Sequence, residues 1–473
     1  MYGNKPVVLF LSLLIGGLQA HAQTASFSSP NGVKEECRIL PRIPGGQYSK
    51  GDAKKEQEYC ALDFYDTTKI ALCPKTWSTS PGTIVDDISA SNMSQQQYEA
   101  QPSCGGSKSD TSLVKFKQTM NQAGTSGTFS PSSLLYYHLS RYFDATVDIP
   151  VAVYRSMDKD AHFARVSRKA FTGHMGKSSM NRAGWQWLYK AEQHPASYRP
   201  TRELFTPDNK QIYGVLVGGG GVRYGAEVNG IRSKWGDAQN NDFQNTPAFL
   251  ALRSQQPLKQ AIQEGLQLGE KNSLVAKAMG GGASDFQMAV WMKELTEITI
   301  LDYIFSQQDR IGNIDYKWII YAVDHNGIVS SQKVASKVAR SAMNRIPLPA
   351  VDGTPNLIQK TQLSDNDAGG RNYVNYTKRT QMLQKIRHIH LNTYRQLIAL
   401  NHDLQSHGEL FLYVQANFNL DNRQLSQMLT YTNEAAGILQ ATCKAGRLRF
   451  DLYSPEELLK GSTQEVTADC ERP

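Results

Sequence analysis

The chain has 473 residues, of which 40% are hydrophobic and 20% charged, and its formal net charge is +8. This is the composition of an ordinary globular protein, and the length is sufficient for two lobes or more. The Lys and Arg residues are scattered and form no stripe, so the positive charge does not indicate a nucleic-acid-binding surface. We therefore expect no nucleic-acid partner.

The N-terminus has the pattern of a secretory signal peptide. Lys5 precedes an apolar run, Pro6–Leu18, and the small-x-small sequence Ala20–Ala22 follows it. The run is too short to span a membrane, and no later segment is apolar enough to do so. We predict a signal peptide over residues 1–22 and a secreted or periplasmic protein without a transmembrane segment, located in the secretory pathway if the source is eukaryotic.

The cysteine content agrees with export. An even number of cysteines in an oxidising compartment predicts disulfides, three in this chain, and the last two would join the C-terminal tail to the body of the protein. A zinc site is the competing interpretation, but no Cys-x-x-Cys or His pair has the spacing of metal ligands. The pairing of the first four remains open. The six residues are Cys37, Cys60, Cys73, Cys104, Cys443 and Cys470.

The domain organisation is predicted from shifts in composition. Residues 23–103 are rich in Ser, Gly, Lys and Gln, and we expect a disulfide-held N-terminal extension with little core of its own. Residues 104–225 would form a small lobe with an insertion, and residues 226–473 a helical large lobe. Four consecutive glycines, Gly218–Gly221, follow a predicted strand and suggest a hinge or hairpin connection.

A glycine-rich turn opens the predicted small lobe. Gly105, Gly106 and Ser107 precede a strand that ends in lysines, and such a turn could cover phosphates with backbone N–H groups. Lys115 and Lys117 lie on the same face of this strand because strand side chains alternate. An edge strand that carries lysines against aggregation is an equally good explanation of these residues considered alone. A helix opened by Ser130-Pro131 and a further strand over 147–154 follow.

The centre of the sequence combines a helix, a polar loop and an acidic turn. Apolar residues recur at three- and four-residue steps over Trp291–Phe305, which predicts a helix. The loop after it contains Asp309 and Asn313 and turns at a glycine. A strand-like run, Trp318–Tyr321, and then the acidic turn Leu363–Gly370 complete the set.

Phosphoryl transfer requires this inventory of side chains. An Asp orients or deprotonates the acceptor hydroxyl, an Asn binds a metal ion, and a separate Asp holds the metal against the phosphates. Each motif also has a simpler explanation, since an Asp-Arg pair at a helix end is often a salt bridge or cap, and Asn-Asp-Ala-Gly-Gly is a common turn. The order of the motifs, with a strand between them, favours the kinase-like interpretation.

These segments, LDYIFSQQDRIGN, WIIY and LSDNDAGG, resemble the catalytic loop and metal-binding turn of atypical kinases. The resemblance is to the secretory-pathway kinases related to the Golgi casein kinase and four-jointed, and type II phosphatidylinositol 4-kinases and HipA-type serine kinases share the arrangement. It implies an α+β, two-lobed atypical kinase-like fold with a largely helical large lobe. It also implies that ATP binds between the lobes with Mg²⁺ or Mn²⁺.

The resemblance assigns a role to individual residues. Asp309 would be the catalytic Asp, and Asn313 and Asp365 would hold the metal. Many kinases place the metal-binding residue five positions after the catalytic Asp, and that position is Ile314 here. Asn313 is one position short of it and Asp315 one position beyond, so Asp315 is an alternate to Asn313. Asp367 is likewise an alternate to Asp365 in the second turn. Family patterns favour Lys115, with Gly105, Gly106 and Ser107, as the nucleotide-binding residues.

The predicted small-lobe helix lacks the Glu that pairs with the lysine in these families. Ser132 or Ser133 stands near the expected position, and Asp158, Asp160 or Glu192 could replace the missing acid. The sequence therefore predicts an exported ATP-dependent kinase that acts on a hydroxyl group of a protein, glycan or lipid. An adenylyl transferase on the same fold and a noncatalytic pseudokinase binding protein are the alternatives.

Overall fold

The structure is a computed structural model that describes residues 23–104, 111–173, 179–233, 236–280, 282–335, 356–370 and 376–472. Within these ranges the protein is α+β, as the sequence predicts. Its first half is built on a seven-stranded antiparallel sheet, and its second half is mainly helical with a smaller sheet. The candidate site lies where the two halves meet.

The large sheet has the strand order β1-β2-β6-β7-β5-β4-β3. Its central strands are nearly continuous runs of buried residues, because helices cover the sheet and no alternation with solvent is needed there. The seven strands are β1 (Gln23–Ser28), β2 (Lys34–Ile39), β3 (Ile70–Pro74), β4 (Thr83–Asp87), β5 (Ser112–Gln118), β6 (Ala152–Asp158) and β7 (Gln211–Val217).

Residues 23–104 supply four of these seven strands, which differs from the expected extension with little core of its own. One edge of the sheet is β1 and β2, and the other is β3 and β4. Two disulfides hold this part: Cys37–Cys60 joins β2 to α1 (Lys50–Cys60), and Cys73–Cys104 joins β3 to the segment after α2 (Gln95–Ala100). The boundary expected at residue 104 therefore falls inside one folded unit.

The helix after β5 forms as the Ser130-Pro131 signal predicts. It is α3 (Ser130–Tyr142), it has Pro in its first turn, and it packs against β6 and β7. The strand expected at 147–154 begins later, at Ala152, because Pro150 cannot donate a hydrogen bond to a sheet. The insertion between β6 and β7 contains α4 (Lys159–His162), α5 (Arg168–Thr172) and α6 (Ser179–Gln193).

The four-glycine segment connects the large sheet to the second half of the chain. It leads from β7 to a two-residue strand, β8 (Val222–Arg223), which pairs with the smaller sheet. A Cβ atom on Gly221 would lie 2.7 Å from the Asp315 Cβ atom and 3.0 Å from the Tyr316 carbonyl oxygen. Glycine is thus required there for the close approach of two backbones.

The helices of the second half surround one buried helix, α12. All of its residues from Gln287 to Phe305 are buried, and it packs against α9, α13 and α16. A helix that is buried on every side is expected at the centre of a large helical region. The helices are α7 (Ala226–Asn229), α8 (Asp237–Gln244), α9 (Pro247–Leu252), α10 (Leu258–Gly269), α11 (Ser273–Met279), α12 (Asp285–Phe305), α13 (Tyr376–Lys385), α14 (Leu391–Gln405), α15 (Glu409–Asn417), α16 (Asn422–Lys444) and α17 (Pro455–Leu459).

The smaller sheet positions the acidic turn. It contains β9 (Asp315–Val323), β10 (Val329–Val334) and β11 (Asn356–Gln362), with β9 in the middle and β8 also pairing with β9. In the antiparallel register of β9 and β11, Asp315 lies opposite Gln362. The start of β9 and the end of β11 are therefore neighbours, which brings the loop after α12 beside residues 363–370.

The C-terminal disulfide joins Cys443 on α16 to Cys470, as the sequence predicts. The six cysteines are thus all paired, which fits an oxidising compartment. Among the described residues, none of the helices is both long enough and apolar enough to cross a membrane.

Candidate functional site

The structure brings four of the predicted acidic side chains into one region. Asp309 lies in the loop after α12, and Asp315 begins β9. Asp365 and Asp367 lie in the turn after β11. We call residues 306–314 the α12–β9 loop and residues 363–370 the acidic turn. The pKa of Asp309 is raised by burial and then by the charges of Asp365 and Asp367, so these carboxylates act on one another.

A sharp helix end directs the α12–β9 loop toward the acidic turn. Ser306, the residue after α12, has a left-handed backbone with φ of 59°. This conformation ends the helix, as it commonly does at helix C-termini. The Gln308 amide then donates to the Ala368 carbonyl oxygen at 3.1 Å, and the Gln307 side-chain amide donates to the Asp365 carbonyl oxygen at 3.3 Å. The two segments are therefore held together by hydrogen bonds to backbone carbonyl groups of the acidic turn.

Arg310 is the structural link between the loop and the turn. Its guanidinium forms an ion pair with Asp302 on α12 at 3.0 Å and donates to the Asn366 side-chain oxygen at 2.8 Å. It also donates to the Asp365 carbonyl oxygen at 3.1 Å. Arg310 is buried, and this buried network fixes the backbone on both sides of the acidic residues. In the Asp309-Arg310 pair, therefore, Arg310 positions the loop through Asp302 and does not form an ion pair with Asp309.

The N-terminus of α3 supports the acidic turn from the other side. The Phe129 amide donates to the Asp367 carbonyl oxygen at 2.6 Å, and the Ser132 hydroxyl donates to the Asn366 carbonyl oxygen at 2.7 Å. A Cβ atom on Gly369 would lie 2.5 Å from the Ser132 hydroxyl oxygen, so the approach of α3 requires glycine there. The turn is therefore clamped between α3 and the α12–β9 loop.

Lys117 on β5 binds both acids of the turn. Its ammonium nitrogen lies 3.2 Å from Asp365 Oδ1 and 3.0 Å from Asp367 Oδ2. Burial alone would lower the pKa of Lys117, but the charges of Asp367 and Asp365 raise it above its ordinary value. The pKa of Asp365 falls well below its usual range despite burial, chiefly through the charge of Lys117. The ion pair connects the large sheet to the acidic turn.

The lysine in direct contact is thus Lys117, whereas the family resemblance favours Lys115. Lys115 lies on the same face of β5, and its pKa is lowered by burial and by the charge of Lys117. No ion pair involving Lys115 exists in the described ranges. The two lysines share a strand face, so the sequence alone could not decide between them.

The acids proposed to replace the missing Glu lie elsewhere. Glu192 is 2.5 Å from His162 Nδ1, and Asp158 accepts a hydrogen bond from Ser29 at 2.6 Å. Asp160 forms an ion pair with its neighbour Lys159. The acidic partners of Lys117 come from the turn after β11, and α3 contributes Ser132 to that turn in place of an acid.

Arg223 on β8 lies among the predicted metal ligands. This arginine was not singled out from the sequence. Its guanidinium donates to the Asn313 side-chain oxygen at 2.5 Å and lies 2.6 Å from Asp315 Oδ1. Asp365 Oδ2 is 3.9 Å away. These oxygens therefore face one cationic group. The sequence contained a signal for it, because this Arg stands two positions after four consecutive glycines.

Carboxylate and amide oxygens are the ligands that Mg²⁺ and Mn²⁺ prefer, so the donor set fits such an ion by its chemistry. The oxygens of Asn313, Asp315 and Asp365 all face the Arg223 guanidinium, which agrees with a cation-binding role. In the described part of the chain, however, no group of three or more His, Cys, Asp or Glu side chains is arranged to hold a metal. Metal binding by Asn313, Asp315 and Asp365 would thus require Arg223 to move.

Asp309 has a carboxyl group suited to receive a proton. Burial and the charges of Asp365 and Asp367 raise its pKa above the ordinary value for Asp. Its backbone carbonyl accepts a hydrogen bond from Asn313 at 3.0 Å, which fixes the loop. Within the described ranges its carboxylate has no hydrogen-bond donor, which leaves the oxygens free to accept a hydrogen bond.

The predicted phosphate-binding turn at Gly105, Gly106 and Ser107 lies outside the described residues. The ends of the connection that contains it can still be located, since Asp86 pairs with Ser112 at one end of β4 and β5. The opposite end, where Thr83 pairs with Phe116, is next to Lys117. The loop that reaches this end is 75–82, between β3 and β4.

We compared the chain with known proteins. No protein-family model and no curated protein matches it significantly. The geometry of the site therefore carries the functional argument.

Proposed function

We propose that the protein is an exported ATP-dependent kinase that transfers the γ-phosphate to a hydroxyl group of a protein, glycan or lipid. The observation that carries the proposal is the contact of the Lys117 ammonium with Asp365 and Asp367, with Asp309 close enough to share their charge. A phosphate-binding lysine, metal-binding acids and an acceptor-binding Asp are the parts that phosphoryl transfer uses.

The order of elements supports a two-lobed kinase-like fold as part of this proposal. The lysine strand β5 is followed by α3, two more strands and a glycine linker, and then by a helical half with a buried helix, α12. The catalytic Asp would follow that helix, and the metal-binding acid would follow β11. ATP would lie between the large sheet and the α12–β9 loop.

Each side chain would contribute by position and charge. Lys117 would bind phosphate oxygens once its contacts with the acidic turn are shared with nucleotide, and Asp309 would accept a hydrogen bond from the attacking hydroxyl. A base with a raised pKa takes up a proton more readily than an ordinary Asp. Arg310, held by Asp302, would keep the loop in place during the reaction.

Asn313 and Asp365 would hold Mg²⁺ or Mn²⁺, with Asp315 and Asp367 as the alternates. When bound, the ion would neutralise negative charge on the phosphates. In the structure, Lys117 and Arg223 balance the negative charge of Asp367 and Asp315. Lys117 lowers the pKa of Asp365, so this carboxylate would be ionised before nucleotide arrives.

A noncatalytic binding protein is a second candidate, favoured by Arg223. Its guanidinium lies between Asn313 and Asp315, and α3 provides no acid to Lys117. Such a protein would bind nucleotide without transferring a group.

The test is group transfer by the oxidised chain from ATP labelled at either the α- or the γ-phosphate, with Mg²⁺ or Mn²⁺. We expect γ-label to move to a protein, glycan or lipid acceptor, and Asp309→Asn to abolish this movement. Asp160→Asn is the matched control, since Asp160 is exposed and pairs only with the adjacent Lys159. Transfer of α-label would instead establish an adenylyl transferase. Nucleotide binding with no transfer of either label would establish the noncatalytic protein.

A further inference from the structure

Lys75 stands in the first position of the loop between β3 and β4. Its amide donates to the Gly82 carbonyl oxygen at 2.8 Å, which closes the base of loop 75–82. Pro74 pairs with Thr83 across β3 and β4, and Thr83 pairs with Phe116 on β5. The loop therefore projects from the end of the sheet at which Lys117 contacts the acidic turn.

The Lys75 side chain is buried and its charge is unpaired. The residue is only 4% exposed, and its ammonium makes no ion pair or hydrogen bond with any described residue. The Lys75 nitrogen lies over the ring of Trp77, 5.1 Å from its centroid, in a cation–π contact. Lys117 is equally buried but has two carboxylate partners. A largely buried ammonium without a carboxylate partner among the described residues is available to an anion that binds there.

The charged groups around Lys75 favour a ligand with several negative charges. Lys115 and Lys117 act on it from β5, and Asp365 and Asp367 act on it from the acidic turn. Both carboxylates are already bound by Lys117, which leaves Lys75 and Lys115 without a carboxylate partner among the described residues. Burial first, and the charge of Lys117 second, lower the pKa of Lys75 to about 7. A chain of linked phosphates would place an oxygen on each ammonium.

The insertion helix α6 holds the loop in position before any ligand binds. The Asn181 side chain donates to the Ser78 carbonyl oxygen, and the Trp185 indole N–H donates to the Lys75 carbonyl oxygen at 3.4 Å. A Cβ atom on Gly184 would lie 2.7 Å from Pro81, so α6 and the loop are in close contact. A loop fixed in this way loses little conformational entropy when it binds a ligand.

We propose that Lys75 is a second phosphate-binding residue, which together with Lys115 binds an oligophosphate chain beneath the loop 75–82. The proposal rests on the proposed function and specifies the part of the nucleotide that this end of the sheet would hold. It gives the loop between β3 and β4 the task of covering phosphates.

The test is calorimetric titration of the oxidised chain with inorganic tripolyphosphate and, separately, with ATP. We expect Lys75→Met to weaken tripolyphosphate binding by about tenfold or more, since a hydrogen bond from a charged donor is lost. Lys75→Arg should keep most of the affinity. The matched control is Lys69→Met, which removes the same charge from an exposed side chain ahead of β3.

Thermal unfolding of the same variants separates binding from folding. Lys75→Met should unfold at the same or a higher temperature than the parent, because it removes an unpaired buried charge. Tripolyphosphate binding that is equal in the parent and in Lys75→Met would overturn the proposal and leave the kinase function standing. Lys75-dependent binding of tripolyphosphate without any binding of ATP would support the proposal and remove the kinase function. Failure of the parent to bind either would overturn both.

Discussion

The contact of Lys117 with the acidic turn makes a quantitative prediction about stability. Lys117→Met would leave Asp367, whose side chain is 8% exposed, buried without its cation. Breaking a buried ion pair by removal of one partner costs about 3 to 5 kcal/mol of unfolding free energy. We expect a value near the lower limit, about 3 kcal/mol, because Asp365 is one-third exposed and can be hydrated by solvent.

A double-mutant cycle in urea isolates this contact. Asp367→Asn removes the stranded charge, so Lys117→Met combined with Asp367→Asn should be more stable than the sum of the single changes by about 1 to 3 kcal/mol. Lys69→Met is the matched control, because its side chain is 67% exposed and we expect a change of at most about 0.5 kcal/mol. Additive effects of Lys117→Met and Asp367→Asn would refute the ion pair as the basis of the site.

Three further predictions concern a buried acid, the proposed metal ligands and the C-terminal disulfide. Burial raises the pKa of Glu294 from 4.5 to about 8, so the folded protein keeps this proton while the unfolded chain releases it. The corresponding stability is complete below pH 4.5 and is lost as pH rises to about 8. Relative to the parent, Glu294→Gln should therefore gain about 1.4 kcal/mol per pH unit in this window, measured by urea unfolding at several pH values. Arg223→Gln should strengthen Mn²⁺ binding by about tenfold in calorimetry, because one competing cationic group is worth roughly 1 to 2 kcal/mol. Replacement of Cys443 and Cys470 by Ser should cost about 3 kcal/mol of unfolding free energy, since the bridge closes a loop with a sequence separation of 27.

Each of these predictions has a result that contradicts it. A constant stability difference between Glu294→Gln and the parent across pH would show that Glu294 is ionised in the folded protein. Equal Mn²⁺ affinity in Arg223→Gln and the parent would exclude competition by the guanidinium. An unchanged unfolding free energy in the double Ser variant would mean that other contacts hold the C-terminal tail.

The elements around α12 could be predicted because their signals are local. Helical periodicity over Trp291–Phe305 and the turn residues after it are properties of adjacent residues, and the structure has α12, a loop and β9 at those places. The pairing of Cys443 with Cys470 was also accessible, since the first four cysteines cluster far away in the chain.

The sheet could not be predicted because its pairing is long-range. Cys37 on β2 lies opposite Arg155 on β6, and such a register depends on packing and not on nearby residues. Residues 23–104 were therefore expected to form an extension, although they supply both edges of the sheet. The hydrophilic residues of this part lie largely in its loops, and its buried strands are too short to change the average composition.

The acids of the candidate site were singled out from the sequence, whereas two of its cations, Lys75 and Arg223, were missed. Asp309, Asp365 and their neighbours follow a helix and a strand in a recognisable order. Lys75 and Arg223 lie outside the kinase-like motifs, and each acquires its environment from tertiary contacts. The sequence Pro74–Gly82 nevertheless has the Pro, Ser and Gly residues of a hairpin loop between two apolar strands, and this signal could have located Lys75.

The most direct test of the central claim is transfer of γ-labelled phosphate from ATP by the oxidised parent chain beside Asp365→Asn. Asp365 is in contact with Lys117 and near Arg223, so its loss should remove metal and phosphate positioning together. We predict transfer to a hydroxyl acceptor by the parent and a loss of several kcal/mol of transition-state stabilisation in the variant. Equal transfer by the parent and Asp365→Asn would contradict the account.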